Sequence, residues 1–352
     1  MELTGIHHIT LVGADAARTL AFYTSVLGMH LVKRPVTFDR PDTFHLYFGD
    51  AQGTPGSLIT FFEWPDAEHG RTGIGGTHHF ALTVESTNAQ LKWKRRLADL
   101  GIAVQGPYDR TYFRSIYFRD PDGCRVEIAT RWPGMTEDEE PDRLGSAVIP
   151  PPDDLVRGAR DEDAIAAQTW PEPLPEIQPD MALAGLHHIS AVSGDIDRTA
   201  DFWTGPLGLR LVKRTASYDD AAVPHYYFGD AQGAPGTLIT YFGYGAGRMP
   251  PARLGPGLTH HFALGVESDE QQLAWRERLL AVGIAVTPVR DRQYFHSIYF
   301  HDPDGHLLEI ATRPPGFAVD EPADRLGQRL MLPPWLEPAR PALTARLRPL
   351  AP

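Results

Sequence analysis

Residues 48–62 read FGDAQGTPGSLITFF, and residues 228–242 read FGDAQGAPGTLITYF. Two further stretches repeat at nearly the same spacing. LGMHLVKR (27–34) returns as LGLRLVKR (207–214), and SIYFRDPDGCRVEIATR (115–131) returns as SIYFHDPDGHLLEIATR (297–313). The offset is 180 residues for the first two pairs and 182 for the third. Self-similarity at a fixed period indicates that the chain is a tandem duplication.

An acidic, Pro-rich segment follows each half of the duplication. PGMTEDEEPDRLG (133–145) follows the first half and PGFAVDEPADRLG (315–327) follows the second, so the segment belongs to the repeat. Its composition is typical of a linker or surface loop with short helical pieces at most. We therefore predict four regions: a first half over 1–132, a linker over 133–183, a second half over 184–314 and a C-terminal tail over 315–352.

Each half divides again into two similar modules. In the first quarter a strand-like run, Ile6–Val12, precedes a helix with Asp15 as its N-cap and Gly28 as its stop. Three short β-rich runs broken by Gly and Pro follow, within LVKRPVTF, TFHLYFGD and SLITFFEW. We therefore predict that this quarter contains a first strand, one helix through Val26 and three further strands.

The second quarter repeats this order. HFALTVE is a predicted strand, and Ser86 caps a helix that ends at Gly101 and carries the apolar Trp93, Leu97 and Leu100 on one face. The strands SIYF and RVEIAT flank an Asp-Pro-Asp-Gly turn, residues 120–123. The predicted fold is therefore α+β: four βαβββ modules in tandem, forming two cupped, barrel-like mixed sheets with helices outside.

The composition narrows the classes of partner. With 45 acidic and 33 basic residues the formal net charge is −12, which argues against nucleic acid or an anionic membrane. Nothing resembling a signal peptide precedes Gly5, and no apolar run approaches a membrane span, so we expect a cytoplasmic protein. The single cysteine, Cys124, excludes an internal disulfide and a Cys-rich metal site. The composition leaves a homo-oligomer open.

Adjacent histidines occur four times, each time on the first predicted strand of a module. The pairs are His7-His8, His78-His79, His187-His188 and His260-His261. Because neighbouring strand residues point to opposite faces, each pair is predicted to place one histidine on each face. The second member shares its parity with small residues such as Ala81 and Thr10, and the first with bulky apolar ones. The second histidines are therefore expected to face an open, concave side.

The same parity rule brings two glutamates and two tyrosines to the concave side. In RVEIAT and LLEIAT, Glu127 and Glu309 alternate with apolar residues, and Tyr117 and Tyr299 do so in SIYF. Four histidines and two glutamates divide into two sets of two histidines and one carboxylate. That set holds non-haem Fe(II) and leaves coordination positions open. The first histidine of each pair would lie behind and orient a ligand or a substrate.

The repeated histidines could also have a structural role instead of binding a metal. A buried histidine is more often a hydrogen-bonded core residue than a ligand, and duplication alone can copy a structural feature. The glutamates favour a metal, because an unpaired carboxylate on an interior strand face is costly. Thr60 and Thr240 occupy the matching place in the first and third modules, so two histidines and one glutamate are predicted at each site.

Weaker signals accompany the histidines. Arg110 and Arg292 open the matched RTYFRSIYF and RQYFHSIYF, where a cation would hold an anionic substrate oxygen; a solvated surface arginine explains them equally well. His45 and His225 share parity with neighbouring tyrosines and are further candidates for lining a cavity. We interpret Trp93 and Trp275 as core residues and the two Asp-Pro-Asp-Gly stretches as turns.

The chain resembles the vicinal oxygen chelate superfamily, which includes glyoxalase I, bleomycin-resistance proteins and extradiol dioxygenases. The HHI opening, LGxxLVKR, YFGDxxGxPGxLIT, the later HH and the EIAT ending look like hydroquinone-type ring-cleaving dioxygenases. The resemblance implies Fe(II), with Mn(II) as a substitute, and a small aromatic substrate cleaved with O₂. It implies iron ligands at His8, His261 and Glu309. Residues that support the ligands or contact the substrate would be His7, His260, Tyr299 and Arg292.

The resemblance also implies one complete ligand set per chain, whereas His79, His188 and Glu127 are intact here as well. These three form a second predicted metal site, and its supporting residues would be Tyr117, Arg110, His78 and His187. If each half closes on itself, His8 joins His79 and Glu127. If the modules exchange, His8 joins His261 and Glu309. Strand parity is consistent with both arrangements, and short connections favour neighbouring modules. The resemblance favours the exchange, which we predict.

Two other classes of function remain open from the sequence. One is a glyoxalase-like lyase or isomerase that uses zinc or nickel without O₂. The other is a metal-free protein that sequesters an aromatic drug. Fold and ligand set fix the type of reaction rather than the substituents of the substrate ring.

Overall fold

The structure is a computed structural model that describes residues 2–38, 40–245 and 247–350. Four βαβββ modules follow one another along the chain, as predicted. The first comprises β1 (Ile6–Gly13), α1 (Ala16–Ala21), β2 (His30–Thr37), β3 (Arg40–Gly49) and β4 (Leu58–Glu63). The second comprises β5 (Thr77–Val84), α2 (Thr87–Asp99), β6 (Gln105–Asp109), β7 (Arg114–Arg119) and β8 (Arg125–Thr130).

The linker between the halves carries the short helix α3 (Glu162–Ala167). The third module comprises β9 (Leu186–Ser193), α4 (Ile196–Thr204), β10 (Arg210–Ala216), β11 (Pro224–Gly229) and β12 (Leu238–Gly243). The fourth comprises β13 (Thr259–Val266), α5 (Asp269–Ala281), β14 (Arg290–Asp291), β15 (Phe295–His301) and β16 (Leu307–Pro315). The tail adds β17 (Leu330–Met331) and α6 (Arg340–Arg346).

The modules pair across the two halves of the sequence. A nine-stranded sheet has the order β14-β15-β16-β13-β1-β4-β3-β2-β17, and an eight-stranded sheet has the order β10-β11-β12-β9-β5-β8-β7-β6. The first module thus joins the fourth through the antiparallel β1–β13 pair, and the second joins the third through β5–β9. This is the exchanged arrangement. Each sheet contains modules from both the 1–132 and the 184–314 regions.

The helices cover the apolar faces of both sheets. Trp93 on α2 and Trp275 on α5 are 0% and 1% exposed, so their predicted place in the core is confirmed. Leu100, predicted to lie on the same apolar face of α2 as Trp93, is 49% exposed. α2 ends at Asp99, and Leu100 is the C-cap residue with φ −84° and ψ 6°, outside the helical region. Its side chain therefore leaves the buried face of the helix.

The first helix also departs from the prediction in its last turn. Asp15 caps α1 by accepting a hydrogen bond from the Arg18 backbone N–H, as expected. The α-helix ends at Ala21, however, and the following turn, Phe22–Val26, is π-helical. The Leu27 N–H accordingly donates to the carbonyl oxygen of Phe22, five residues earlier.

The linker and the tail pack on the sheets through the same acidic pair. The buried Lys213 ammonium on β10 donates to Asp138 and, at 2.5 Å, to Glu139 Oε2. In the nine-stranded sheet the buried Lys33 makes the same contacts with the tail residues Asp320 and Glu321. Both lysine side chains are 0% exposed. The repeated acidic segment therefore neutralises a lysine that the LVKR repeat places inside each sheet.

Removing one of these lysines should cost stability. Lys213→Met leaves Asp138 and Glu139 without their cation, and breaking a buried pair in this way costs about 3 kcal/mol. Denaturant unfolding of the purified chain measures the loss. Arg248→Met is the matched control, because the Arg248–Asp220 pair is half exposed and should contribute less than about 1 kcal/mol. Equal effects from both substitutions would contradict this account of the linker.

Within the described ranges, no helix has both the length and the apolar character required to cross a membrane.

Candidate metal centres

The first centre lies on three neighbouring strands of the nine-stranded sheet: β1, β13 and β16. His8 Nε2 lies 3.4 Å from His261 Nε2 and 3.4 Å from Glu309 Oε2, and His261 Nε2 lies 2.9 Å from Glu309 Oε2. All three side chains are buried. One potential ligand atom from each residue therefore points at a common position, which we call centre 1.

The second centre has the same geometry on β9, β5 and β8 of the other sheet. His79 Nε2 lies 3.2 Å from His188 Nε2 and 2.9 Å from Glu127 Oε2, and His188 Nε2 lies 3.4 Å from Glu127 Oε2. These side chains are buried as well. The structure thus brings together both residue sets that the exchanged arrangement predicts, and we call this set centre 2.

A β-bulge occurs at the first histidine of every pair. In the β1–β13 ladder the register skips His7 and His260, and in the β5–β9 ladder it skips His78 and His187. Strict alternation of side chains along a strand had predicted that the two histidines of each pair lie on opposite faces of the sheet. The extra residue of a bulge is unpaired and its side chain is re-aimed, so that the two rings of a pair meet.

The contact within each pair fixes which ring nitrogen faces the centre. The two Nδ1 atoms lie 2.9 Å apart in His7–His8 and 2.8 Å apart in His260–His261. At centre 2 the corresponding distances are 2.7 Å for His78–His79 and 2.9 Å for His187–His188. One nitrogen of each pair donates to the other. The Nε2 atom of the second histidine is thereby left for the centre, which is the support expected of histidines behind a metal ligand.

Each glutamate is anchored through one oxygen only. Ser297 Oγ donates to Glu309 Oε1 and Ser115 Oγ donates to Glu127 Oε1, both at 2.5 Å. In the described part of the chain, neither Glu309 Oε2 nor Glu127 Oε2 accepts a hydrogen bond of good geometry, although both are buried. A buried carboxylate oxygen without a donor is costly. A cation between this oxygen and the two Nε2 atoms would remove that cost.

The protonation states suit a cation. Burial raises the pKa of Glu309, but the neighbouring His8 and His261 rings outweigh this effect and hold that pKa well below its ordinary value. Burial lowers the pKa of His79 to about 4 and also lowers the pKa of His261. Ionised glutamate and neutral imidazole are the forms that bind metals. The residues at both centres therefore fit a divalent ion.

Centre 1 opens into a cavity of about 480 Å³. Arg292 and Tyr299 lie in its wall, and Arg292 Nε donates to Tyr299 Oη at 3.0 Å. The rest of the wall is largely aromatic: Phe38, Tyr47, Phe62, Trp64, Tyr294 and Phe295. Centre 2 is lined by the equivalent Arg110 and Tyr117, but its cavity measures only about 30 Å³.

The predicted supporting histidines divide by position. His260 lines the cavity of centre 1, with its ring against Phe62 and Trp64. His7 and His187 are 1% exposed and lie behind their partners. His78 lines a separate cavity with Arg119 and Arg125. Only the histidine of the fourth module is therefore both beside a ligand and within reach of a substrate at centre 1.

His45 and His225, weak candidates from sequence, line the cavities of centres 1 and 2. His45 Nε2 lies 3.1 Å from Thr60 Oγ1, which is 2.8 Å from Thr10 Oγ1. Thr60 is the residue that stands where the fourth module has its glutamate. The sequence signal was the shared parity of His45 and Tyr47, whose hydroxyl lies 3.1 Å from His45 Nδ1.

Comparison with known proteins agrees with this fold. Residues 5–128 and 185–310 match the family model described as "Glyoxalase/Bleomycin resistance protein/Dioxygenase superfamily". The chain belongs to this superfamily, which confirms the resemblance inferred from the sequence.

Two related proteins align with almost the whole length of this chain. "Putative ring-cleaving dioxygenase MhqO" of Bacillus subtilis is 34% identical over 98% of this chain and 96% of the relative. "Chlorohydroquinone/hydroquinone 1,2-dioxygenase" of Sphingobium indicum is 28% identical over 96% of this chain and 93% of its own.

Solved structures show the same architecture. A crystal structure titled "putative dioxygenase" from Bacillus subtilis superposes with a TM-score of 0.79 at 33% identity, covering 99% of this chain and 98% of that one. Glyoxalase I from Zea mays superposes with a TM-score of 0.58 at 17% identity, covering 88% and 92%. The second likeness shows the fold alone.

Proposed function

We propose that centre 1 binds Fe(II), for which Mn(II) can substitute, and that the chain cleaves the ring of a hydroquinone- or catechol-type substrate with O₂. One observation carries the proposal: two histidine Nε2 atoms and one unpartnered carboxylate oxygen converge at the wall of a 480 Å³ aromatic cavity. The names of the full-length relatives support the same class of reaction.

Three protein ligands on one side suit the chemistry that this proposal requires. When bound, the ion supplies open positions at which substrate oxygens and O₂ meet. The cavity is large enough for a substituted ring, since about 150 Å³ suffices for benzene. Phe62, Trp64 and Phe295 offer flat apolar faces that orient the ring and exclude water.

Arg292 and Tyr299 are the polar pair that would stabilise negative charge as it develops on the substrate oxygens. Burial and the charge of Glu309 raise the pKa of Tyr299 above its ordinary value, against the opposing effect of Arg292. Tyr299 therefore keeps its proton and can donate it in a hydrogen bond to a substrate oxygen. The Arg292 guanidinium, 5.1 Å from the centre of the Tyr299 ring, adds a positive charge that stabilises an anionic oxygen. His260, in the same wall, is placed to accept or return a proton.

Turnover with and without oxygen separates this proposal from its alternatives. A panel of hydroquinone, catechol and a glyoxalase-type hemithioacetal would be incubated with anaerobically purified, Fe(II)-loaded protein. We expect a diphenol to disappear only when O₂ is present, with one O₂ consumed per ring. Turnover of the hemithioacetal without O₂ would indicate a lyase, and binding of the aromatics without turnover would indicate a sequestering protein.

The histidine behind His8 should tune metal affinity. His7→Leu removes the ring that holds His8 Nδ1 while preserving bulk, and loss of such a partner weakens metal binding by about 10- to 100-fold. Equilibrium dialysis against Mn(II) in a Glu127→Gln background, where centre 2 lacks a ligand, measures the affinity of centre 1. His187→Leu is the matched control, since it alters the equivalent contact at centre 2. An unchanged centre 1 affinity in His7→Leu would contradict this role.

A further inference from the structure

The ligand atoms of the two centres are arranged almost identically, but the space in front of them is not. The corresponding distances agree within 0.2 Å for the Nε2–Nε2 pair, at 3.4 and 3.2 Å, and both histidine–glutamate distances are the same. Centre 1 faces about 480 Å³ and centre 2 about 30 Å³. The smaller volume holds about one water, whereas an aromatic ring needs about 150 Å³.

Tyr218 is one cause of the difference. It is 4% exposed, lines the cavity of centre 2, and donates through its hydroxyl to the Arg110 carbonyl oxygen at 2.8 Å. The hydroxyl also lies 2.8 Å from Thr111 Oγ1. Its repeat equivalent at centre 1 is Phe38, which has no hydroxyl to make this anchor and lies half-buried at the cavity wall beside Trp335.

Arg110 is held in place by aromatic rings on several sides. Its guanidinium lies 5.0 Å from the centre of the Tyr108 ring, 5.6 Å from Tyr117 and 5.2 Å from Tyr218. At centre 1 the repeat equivalent of Tyr108 is Arg290, which is exposed. Arg292 makes the corresponding contact with Tyr299. It has no second aromatic contact of the Tyr108 kind, because position 290 is an arginine. The closed and open sites therefore differ by identifiable substitutions.

The linker completes the closure of centre 2. Asp219 lies 3.7 Å from Arg110 and 2.9 Å from Arg160 of the linker, and Arg160 also covers the Tyr108 ring at 4.2 Å. The Arg157 N–H donates to the Tyr218 carbonyl oxygen at 2.8 Å. Residues 157–160 thus fasten Tyr218 and Asp219 across the mouth of this centre.

We propose that centre 2 binds a divalent metal ion but excludes aromatic substrates, so that it acts as a structural site joining the second and third modules. The three ligands come from β5, β8 and β9, and an ion bound to them ties the β5–β9 junction between the two halves of the chain. Glu127 Oε2, buried without a hydrogen-bond partner among the described residues, is the atom whose cost the ion removes. An ion that binds only the folded chain raises its stability.

Metal counting in two single-site variants tests the first half of the proposal. Glu309→Gln removes a ligand from centre 1 and leaves centre 2, and Glu127→Gln does the reverse. We expect each variant to bind one Mn(II) per chain and the wild type two. In Glu309→Gln, Mn(II) at about 100 times its dissociation constant should raise the melting temperature by about 5 °C. A Glu309→Gln chain that binds no Mn(II), while Glu127→Gln binds one, overturns the proposal.

A visible-absorption titration tests the closure. Co(II)-loaded variants would be titrated anaerobically with hydroquinone, a probe that rests on the proposed function, whereas the Mn(II) count does not. We expect the Co(II) bands of Glu127→Gln to change and those of Glu309→Gln to need at least about 100-fold more hydroquinone. A spectral change at equal concentrations in the two variants overturns the closure. Metal bound by Glu309→Gln supports centre 2 whether or not centre 1 cleaves hydroquinone.

Substitutions that open the cavity of centre 2 should allow hydroquinone to reach the metal there. In the Glu309→Gln background, Tyr218→Ala removes a ring that lines the cavity, and Asp219→Ala removes the bridge to Arg160 from a half-exposed position where folding is little affected. We expect hydroquinone to perturb the Co(II) bands once both are replaced, and Asp219→Ala alone to lower the required concentration. No change in either chain, with Co(II) still bound, shows that these residues do not close the site.

Discussion

Replacing Glu309 by glutamine should lower turnover of the preferred diphenol by on the order of 10³-fold, while Glu127→Gln leaves it within about twofold. Glutamine has the same shape but carries no charge, so centre 1 loses its only anionic ligand. The ion at such a site contributes several kcal/mol to stabilising the transition state, and each 1.36 kcal/mol corresponds to about tenfold in rate.

Glu127→Gln is the matched control for Glu309→Gln. Glu127 has the same neighbours as Glu309, including a serine that donates to Oε1 and two histidines that converge on Oε2. General damage to the fold should therefore affect both variants equally. Initial rates with Fe(II) added back, together with melting temperatures, would be measured for both. Equal losses of turnover would indicate two equivalent active centres and would contradict the difference in access.

Replacing Tyr299 by phenylalanine should lower kcat by about 100-fold, the lower end of what a positioned proton donor contributes. The substitution removes the hydroxyl that accepts from Arg292 Nε but keeps the ring against His261, at 5.6 Å between ring centres. Metal binding should survive, because the proposed ligands of centre 1 are His8, His261 and Glu309. The effect should fall mainly on kcat rather than on KM, as expected when a lost interaction forms in the transition state.

Tyr117→Phe is the control for this substitution. Tyr117 has the same relation to His79, with ring centres 5.6 Å apart, and its ring centre lies 5.6 Å from the Arg110 guanidinium. Turnover should be unchanged in Tyr117→Phe, since no substrate reaches centre 2. Steady-state kinetics with the same diphenol measures both variants. A large loss in Tyr117→Phe would show that centre 2 takes part in the reaction.

The modules and the ligand residues could be predicted from the sequence because the same motifs are repeated along the chain. The repeated stretches predict the modules, and strand parity selects His8, His261 and Glu309 over their neighbours for the concave face. Parity was consistent with both arrangements of the modules, because all six ligand residues point inward in either. The choice depends on which first strands pair, β1 with β13 here, and this long-range contact leaves no local pattern.

Other features depend on contacts that a single strand does not reveal. The bulges at His7 and His260 break the strict alternation used for the prediction, since an extra residue in a ladder exists only relative to the partner strand. Leu100 fits the periodicity of α2 but lies beyond its last turn. The closure of centre 2 rests on Tyr218, whose difference from Phe38 is visible in the sequence but gains meaning only through its contact with Arg110.

The fate of O₂ distinguishes ring cleavage at an Fe(II) centre from the other reactions of this superfamily. Anaerobic Fe(II)-loaded protein would be mixed with the preferred diphenol and ¹⁸O₂, and the ring-opened product analysed by mass spectrometry. Both atoms of one O₂ molecule should enter the product in the wild type and in Glu127→Gln, with almost no product from Glu309→Gln. A product that forms without O₂, or activity with zinc or nickel alone and no labelled oxygen, would contradict the proposed reaction.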